Sequence, residues 1–383
     1  MIKYCVTCLL PDTKPDLFIN LDGICAACAS YSGRAEIDWK SREREFLEIC
    51  TALSARSQSE WDCIVPVSGG KDSTAQVLKA LELNLRPLCV TSTTCDLSEI
   101  GRRNIENIKN LGVDYVEFSP NPLVRRRLNK IGLEVVGDIA WPEHVGIFTI
   151  PVQAAIQYKT PLILWGENSQ NEYGGPASDA NNNTLTRKWL EEFGGLLGLR
   201  VSDLESSYGF SARELSPYKY PSDEQLKEVG VTGLFMGYYF PWDGLSNFIL
   251  AQANGFESYG AVIEGSSVSY ENLDNYQHGI HDYLKFLKYG FGRATDLVSM
   301  HIRRGRISRK QGLELVKKLD GVYPESYLGK PLESILNKIN LTVDEFDEIC
   351  QRFTNMDIFE KNSKGELLKK GKNLIKINYD NEN

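Results

Sequence analysis

The sequence predicts an α/β protein built on a doubly wound parallel sheet, with a small N-terminal unit and a helical C-terminal region. Three observations predict this arrangement. Short apolar runs alternate with helical patterns between residues 61 and 165, two cysteine pairs stand near the N-terminus, and capped helical patterns follow residue 281. Strands that alternate with helices form parallel sheets, which bind ligands at the carboxyl ends of their strands.

Four apolar runs are the predicted strands of the sheet. They span residues 63–67, 87–90, 113–118 and 161–165. The helix after the second run is predicted to begin after Ser98, which can cap it, and to end at Gly112. Polar loops at residues 68–73 and 166–168 directly follow the first and fourth runs. Both loops therefore fall where a ligand site is expected.

The overall composition is that of a globular protein in the cytoplasm. Apolar residues make up 42% of the chain and charged residues 25%, which are ordinary values for a soluble domain. The formal net charge of −8 provides no basic field for a nucleic acid, so such a substrate is disfavoured. No apolar run is long enough to span a membrane, and the N-terminus lacks the apolar core of a signal peptide.

Four of the nine cysteines form two pairs near the N-terminus. The pairs are Cys5-x-x-Cys8 and Cys25-x-x-Cys28, a spacing typical of zinc ribbons and knuckles. Four thiolates close a tetrahedral structural site, which folds a segment too short to stabilise itself by burial. We therefore predict a zinc-binding unit over residues 1–33. Four unliganded thiols or an iron–sulfur cluster are the alternatives.

The rest of the chain divides by composition. The predicted parts are a helical connector over 34–60, a sheet domain with substrate-side insertions over 61–280, a helical region over 281–360 and a mobile tail over 361–383. Residues 170–280 are rich in Gly, Tyr, Pro and Asn and are predicted to fold over the sheet. Capping boxes beginning at Ser308 and Thr342 predict two of the C-terminal helices.

The SGGKDS sequence at residues 68–73 has the composition of a phosphate-binding loop. Gly69 and Gly70 let the backbone approach a ligand and point N–H groups at it, and the following helix favours an anion. Lys71 supplies positive charge, and Asp72 could hold Mg²⁺ against phosphate oxygens. The spacing differs from the Walker pattern. An ordinary Gly-Ser turn that opens a helix is the alternative.

Placed directly after a strand, this hexapeptide resembles the PP-loop of the ATP pyrophosphatase superfamily. Its members split ATP between the α and β phosphates. The residues implied to bind ATP are Ser68, Gly69, Gly70, Lys71, Asp72, Ser73, Thr91, Ser92 and Gly166, and those implied to act in catalysis are Lys71, Asp72 and Glu167. The resemblance implies Glu167 as a second ligand of Mg²⁺.

The wider pattern resembles the N-acetyl sugar amidotransferases, bacterial enzymes of surface-polysaccharide (lipopolysaccharide, O-antigen) and flagellin-glycan pathways. The motifs that carry this resemblance lie at residues 166–168, 172–175, 290–296 and 302–306, within a similarity that runs from Cys5 to about Tyr323. It implies that ATP adenylates the acetamido oxygen of a nucleotide-linked N-acetyl sugar. Ammonia then displaces AMP and leaves an acetamidino group, while pyrophosphate is released.

The same resemblance implies partner proteins. Ammonia is expected from a separate glutaminase of the histidine-biosynthesis type, through a cyclase-like subunit that forms the conduit. No stretch of this sequence has the size or the catalytic-cysteine terminus of a glutaminase. The zinc unit, residues 1–33, is a candidate docking site for that partner.

Two other enzyme classes and one non-catalytic role remain open from the sequence. A PP-loop tRNA thiolase would need further cysteines near the nucleotide, whereas Cys63, Cys89 and Cys95 form no C-x-x-C pair. The second enzyme class is an adenylating amide synthetase that acts on a small carboxylate. The non-catalytic role is a docking module, which leaves the SGGKDS loop unexplained.

Several single residues have both a functional and a structural interpretation. His144 and Asp138 either contact substrate or support the fold, and Arg125–Arg127 is either a phosphate clamp or a solvated helix face. The same choice applies to residues of the C-terminal motif, namely Arg293, Asp296, His301 and Arg303.

Overall fold

A five-stranded parallel sheet forms the centre of the protein, seen in a computed structural model that describes residues 2–167 and 197–377. The strand order is β3-β2-β1-β4-β5. The strands are β1 Cys63–Pro66, β2 Pro87–Ser92, β3 Asp114–Phe118, β4 Leu162–Trp165 and β5 Thr232–Phe235. The chain builds outward from β1 to β3 and then returns to the other side of β1. A crevice therefore opens at the carboxyl ends of β1 and β4, where the order reverses.

Helices cover both faces of the sheet. Along β1, Cys63 and Val65 pack into one apolar core and Ile64 into another, because successive strand residues point to opposite faces. The helices before β4 are α1 Ala26–Ser32, α2 Trp39–Ser54, α3 Lys71–Glu82, α4 Glu99–Asn110, α5 Pro122–Val136 and α6 Trp141–Gln157. Helices α2, α3 and α4 contribute to the first core and α6 to the second. The predicted doubly wound parallel sheet is confirmed.

Two local features of the helices before β4 can be compared with the sequence predictions. Helix α4 begins as predicted, since Ser98 Oγ accepts a hydrogen bond from Gly101 N–H at 2.8 Å. The predicted connector over 34–60, by contrast, is part of the sheet domain. Its helix α2 buries Phe46 and Leu53 against the same core as α3 and α4.

The fifth strand is not predicted by the sequence, in which residues 170–280 are only irregular. β5 is four residues long and contains Gly233, so it has no readable periodicity; its identity follows from parallel pairing with β4. The preceding helix begins with a capping box formed by Ser222 and Gln225, which could have been found. The helices around β5 are Val201–Tyr208, Asp223–Val229, Met236–Tyr239 and Gly244–Ala253, with a 3₁₀ turn at Ser216–Tyr218.

The C-terminal region is helical, as predicted. Its helices are His278–Tyr289, Arg293–Arg303, Arg309–Leu319, Leu332–Leu336 and Val343–Phe353. Both predicted capping boxes are present, one between Ser308 and Gln311 and one between Thr342 and Glu345. Throughout residues 2–167 and 197–377, no helix is long and apolar enough to cross a membrane.

Part of the predicted tail over 361–383 packs on the C-terminal region, and its mobility stays a prediction. Strands Lys369–Lys370 and Asn373–Leu374 pair as a hairpin, and Leu374 packs against the C-terminal core. Lys376 is buried and donates a hydrogen bond to the carbonyl of Gly290. This packing was not predicted, because only a few apolar residues stand among many lysines in this part of the sequence. Residues 378–383 lie outside the described part.

Candidate functional site

A cavity of about 430 Å³ lies at the carboxyl ends of β1 and β4. Its volume falls within the range of small-molecule pockets, roughly 300–1,000 Å³. One side is formed by the SGGKDS loop, residues 68–73, and by Gly166 and Glu167 after β4. Another part of the wall comes from residues 256–293, and Glu271 in that range contacts Lys71 of the loop. The structure thus brings both predicted polar loops to one cavity, although Asn168 and the motif at 172–175 lie outside the described residues.

The SGGKDS loop connects β1 to α3, and its glycines allow the tight turn. Gly69 has φ +83°, a left-handed conformation that side chains disfavour. A Cβ atom there would lie 3.0 Å from the backbone nitrogen of Ile105 in α4. Helix α3 begins at Lys71, so the last three residues of the loop form its first turn. The loop therefore places backbone N–H groups and the positive end of a helix beside the cavity.

A substitution of Gly69 isolates the effect of this turn. Gly69→Ala is expected to cost about 1–2 kcal/mol of stability through its left-handed backbone, and to displace the loop because the new Cβ meets α4. We expect kcat/KM for ATP to fall at least about tenfold, equivalent to roughly 1.4 kcal/mol. Denaturant unfolding and steady-state kinetics measure the two effects separately.

Gly112 offers a matched control. It has φ +85°, and nothing lies within 4 Å of the position that a Cβ atom would take, so Gly112→Ala carries the backbone strain without the clash. We expect it to lose similar stability and to keep its kcat/KM. Equal kinetic losses in the two variants would show that strain, and not the position of the loop, controls activity.

Lys71 is held between two carboxylates on the wall of the cavity. Its side chain is buried and pairs with Asp72 and, at 2.6 Å, with Glu271. Burial lowers the pKa of Lys71, but the two carboxylates outweigh burial and hold that pKa well above its ordinary value. Asp72 is also fixed by Asn247, whose amide donates to Oδ1 at 2.8 Å. Lys71 is therefore a permanent positive charge, and Asp72 with Glu271 forms an oxygen set suited to Mg²⁺.

The structure brings only some of the other predicted ATP contacts to the cavity. Ser92 lines the cavity, whereas Thr91 is buried beneath it and donates its hydroxyl to the carbonyl of Val67 at 2.6 Å. The prediction for Thr91 is therefore not supported, because neighbouring strand residues point to opposite faces. Ser68 and Ser73 line the cavity. Ser68 Oγ accepts a hydrogen bond from Gly70 N–H at 3.3 Å, and Ser73 Oγ donates one to the carbonyl of Gly70 at 3.0 Å.

Sequence reasoning missed most of the cavity residues between Phe256 and Arg293. The residues there include Phe256, Tyr270, Glu271, Asn272, Asp274, His278 and Arg293. They come from a segment without a recognised motif, apart from Arg293, for which the sequence leaves both a functional and a structural role open. Arg293 lies on the wall and pairs with Asp282 at 3.3 Å. The neighbouring Asp296 is buried against Lys285 and serves the packing of helices.

Helix α6 forms another side of the cavity with Glu143 and His144. Burial raises the pKa of Glu143, and nearby Arg125 offsets this in part. Glu143 accepts hydrogen bonds from Cys95 N–H at 3.0 Å and from Asn129 at 2.7 Å. Arg125 itself is buried and donates to Thr93 at 2.9 Å, while Arg127 bonds to the carbonyl of Tyr208. The three arginines of 125–127 therefore do not form one clamp.

The four paired cysteines meet in the N-terminal unit, as predicted. The sulfur atoms of Cys5 and Cys28 lie 3.8 Å apart and those of Cys8 and Cys25 lie 3.7 Å apart. Zinc–sulfur bonds of about 2.3 Å in a tetrahedron give sulfur–sulfur distances of about 3.8 Å. All four are buried, and backbone N–H groups point at two of the sulfurs. The cluster could hold a structural zinc ion.

One family model matches the C-terminal part of the chain. Residues 256–374 match the family model of the C-terminal domain of LPS biosynthesis proteins like WbpG. That range begins at Phe256 and so contains the cavity residues between Phe256 and Arg293. A search of curated proteins found no match.

Two solved structures resemble this one at low similarity. NMN synthetase from Francisella tularensis is 14% identical and covers 51% of this chain and 93% of its own, with a TM-score of 0.26. An NH₃-dependent NAD synthetase from Campylobacter jejuni subsp. jejuni, in complex with the nitrate ion, is 10% identical and covers 60% and 100%, with a TM-score of 0.30. Both scores are below 0.5, so neither likeness bears on the function of this protein.

Proposed function

We propose that this protein is an ATP-dependent amidotransferase that converts the acetamido group of a nucleotide-linked N-acetyl sugar to an acetamidino group. One observation carries the proposal. The SGGKDS loop and several residues of the segment that matches LPS biosynthesis proteins line a single cavity. A phosphate-binding loop and a polysaccharide-related wall would place ATP and a sugar within reach of each other.

The residues of the cavity divide the proposed reaction between them. The loop N–H groups and Lys71 bind the pyrophosphate half of ATP, and Asp72 and Glu271, with Glu167 across the cavity, are the proposed ligands of Mg²⁺. An amide is a poor electrophile, so its oxygen attacks the α-phosphate and becomes part of a good leaving group. Ammonia then adds to the imidate carbon and AMP departs. Positioning and charge neutralisation carry this chemistry.

The proposal includes the four-cysteine zinc site, a cytoplasmic location and a partner. Ammonia is supplied by a separate glutaminase of the histidine-biosynthesis type through a cyclase-like subunit. To test this, the protein is mixed with a purified glutaminase of this type and its cyclase-like subunit. Glutamine should then support the reaction, as ammonium does when no partner is present. Activity with glutamine in the absence of any partner would contradict it.

The cysteines outside the zinc unit weigh against the tRNA thiolase alternative. Cys63 and Cys89 are buried in strands, and burial raises the pKa of Cys89 to about 12. Burial likewise raises the pKa of Cys95, whose backbone N–H bonds to Glu143 on the cavity wall, to about 12. A sulfur-transfer cysteine acts as a thiolate, so these groups are poorly suited to that role at neutral pH.

Product identification tests the proposed function directly. The protein is incubated with ATP, Mg²⁺, ammonium and a panel of nucleotide-linked N-acetyl sugars, and products are read by mass spectrometry. We expect AMP, pyrophosphate and a sugar in which one oxygen is replaced by NH. ADP and phosphate would overturn the assignment of the loop. AMP without any change in the sugars would favour an amide synthetase acting on another substrate.

A further inference from the structure

His281 meets Asp138 and His144, which are distant from it in sequence, beside the cavity wall formed by α6. Asp138 lies in the turn between α5 and α6, His144 lies in the first turns of α6, and His281 lies near the start of the helix His278–Tyr289. The backbone N–H of Ala140 donates to Asp138 Oδ1 at 2.9 Å and fixes the carboxylate. The group combines two imidazoles with one carboxylate, each carried by a different segment.

The ligand atoms of this group converge on one small volume. Asp138 Oδ1 lies 2.7 Å from His281 Nδ1, and Asp138 Oδ2 lies 3.3 Å from His144 Nδ1. All three ligand atoms lie within 4.8 Å of one another. Zinc with bonds of about 2.0–2.1 Å places tetrahedral ligands about 3.3 Å apart. Small rotations of the side chains are therefore enough to enclose an ion.

The charges and hydrogen bonds of the group suit a bound cation. The Asp138 side chain is only 4% exposed and contacts the two histidines, which carry no charge unless they are protonated, while the Lys288 ammonium also acts on it electrostatically. His144 Nδ1 is buried and makes no hydrogen bond, although it lies beside the carboxylate. A buried carboxylate is costly unless a charge or several donors balance it. A divalent ion would balance the negative charge of Asp138 and accept the lone pair of His144 Nδ1.

The group also has access to the cavity. His144 is one of the lining residues, and 29% of its side chain is exposed. His281 packs edge-on against it, with ring centroids 5.2 Å apart and planes 80° apart. Catalytic metal sites keep three protein ligands and leave a position for water or substrate, whereas structural sites are closed. Here the cavity side supplies that open position.

We propose that Asp138, His144 and His281 bind a divalent transition-metal ion such as Zn²⁺, with an open coordination position facing the cavity. Two imidazoles and one carboxylate suit such an ion better than Mg²⁺ or Ca²⁺, which prefer oxygen ligands. The open position accepts water or an oxygen of the bound substrate. This site is separate from the four-cysteine cluster, and the proposal does not depend on which reaction the cavity performs.

Metal analysis of the full-length protein tests the site. The wild type and the variants His144→Gln and His281→Gln are purified without chelator, dialysed against metal-free buffer and analysed for all first-row transition metals. We expect each variant to hold about one equivalent less metal than the wild type, since losing one of three ligands weakens the site severely. Titration of the stripped proteins with Co²⁺ gives a second readout, because histidine and thiolate sites differ in visible absorption.

His278 is the matched control for both variants. It also lines the cavity, lies on the same helix as His281 and pairs with Asp274 at 3.1 Å, but it is not part of the group. His278→Gln should keep the metal content and the Co²⁺ spectrum of the wild type. Circular dichroism confirms that each variant is folded. Equal metal content in the wild type, His144→Gln and His281→Gln would overturn the proposal and leave Asp138 as a carboxylate that is hydrogen-bonded to His281 and lies beside His144.

Discussion

Lys71→Met is expected to lower kcat for the ATP-splitting reaction by about 10²–10³-fold, the loss typical of removing one preorganised group that stabilises developing charge. Lys71 contributes its charge at the start of α3, where it faces the cavity between Asp72 and Glu271. Without it, two carboxylates stand beside the place proposed for the phosphates and repel them. Release of AMP and pyrophosphate under saturating ATP measures the loss.

The same substitution has a cost in stability that has to be measured beside the kinetics. Removing one partner of a buried ion pair destabilises proteins by about 3–5 kcal/mol, and Lys71 is only 4% exposed. Lys79→Met is the control, since Lys79 lies on the same helix and pairs with Glu82 at the surface. We expect it to keep full activity. If folded Lys71→Met protein retained wild-type kcat, the assignment of the loop to phosphate binding would be wrong.

Cys28→Ser is expected to abolish metal binding by the N-terminal unit and to unfold that unit. The apolar core there consists of the four cysteines, Leu10 and Ala27, with partly buried Leu17, Ile19 and Ile24 packed against it, which is too little burial to hold a segment of this length. Structural zinc sites supply apparent free energies of about 10–16 kcal/mol, and these are folding free energies. Limited proteolysis should therefore cut the variant before α2 while the sheet domain stays intact.

Cys50→Ser provides the comparison. Cys50 is buried in the sheet core at 5% exposure and belongs to no cysteine cluster among the described residues, so this variant should keep the zinc and resist cleavage near the N-terminus. The N-terminal unit contacts the C-terminal helices, because Arg309 donates to the carbonyls of Cys5 and Cys8 at 3.2 and 3.1 Å. A partial loss of activity in Cys28→Ser is consistent with this contact. Unchanged metal content in Cys28→Ser would rule out the four-cysteine site.

Several features of this protein follow from local sequence because local forces produce them. The strand–loop–helix around SGGKDS, the cap at Ser98 and the boxes at Ser308 and Thr342 each depend on residues that are near neighbours in the chain. The four-cysteine cluster was also predictable, since each tight turn supplies two thiols and only two turns have to meet. Three of the four strands found by pattern are buried apolar runs, whereas Asp114–Phe118 is an outer strand with exposed residues.

Other features were decided by the tertiary structure. β5 is a strand because it pairs with β4, and Thr91 turns away from the cavity because the register of β2 points it at Val67. Glu271 reaches Lys71 from a distant part of the chain, and nothing in its own neighbourhood marks it. His281 meets Asp138 in the same way. The local sequence around SGGKDS determined a strand, a glycine turn and a helix, but the cavity residues between Phe256 and Arg293 depend on long-range packing, which leaves no pattern in the local sequence.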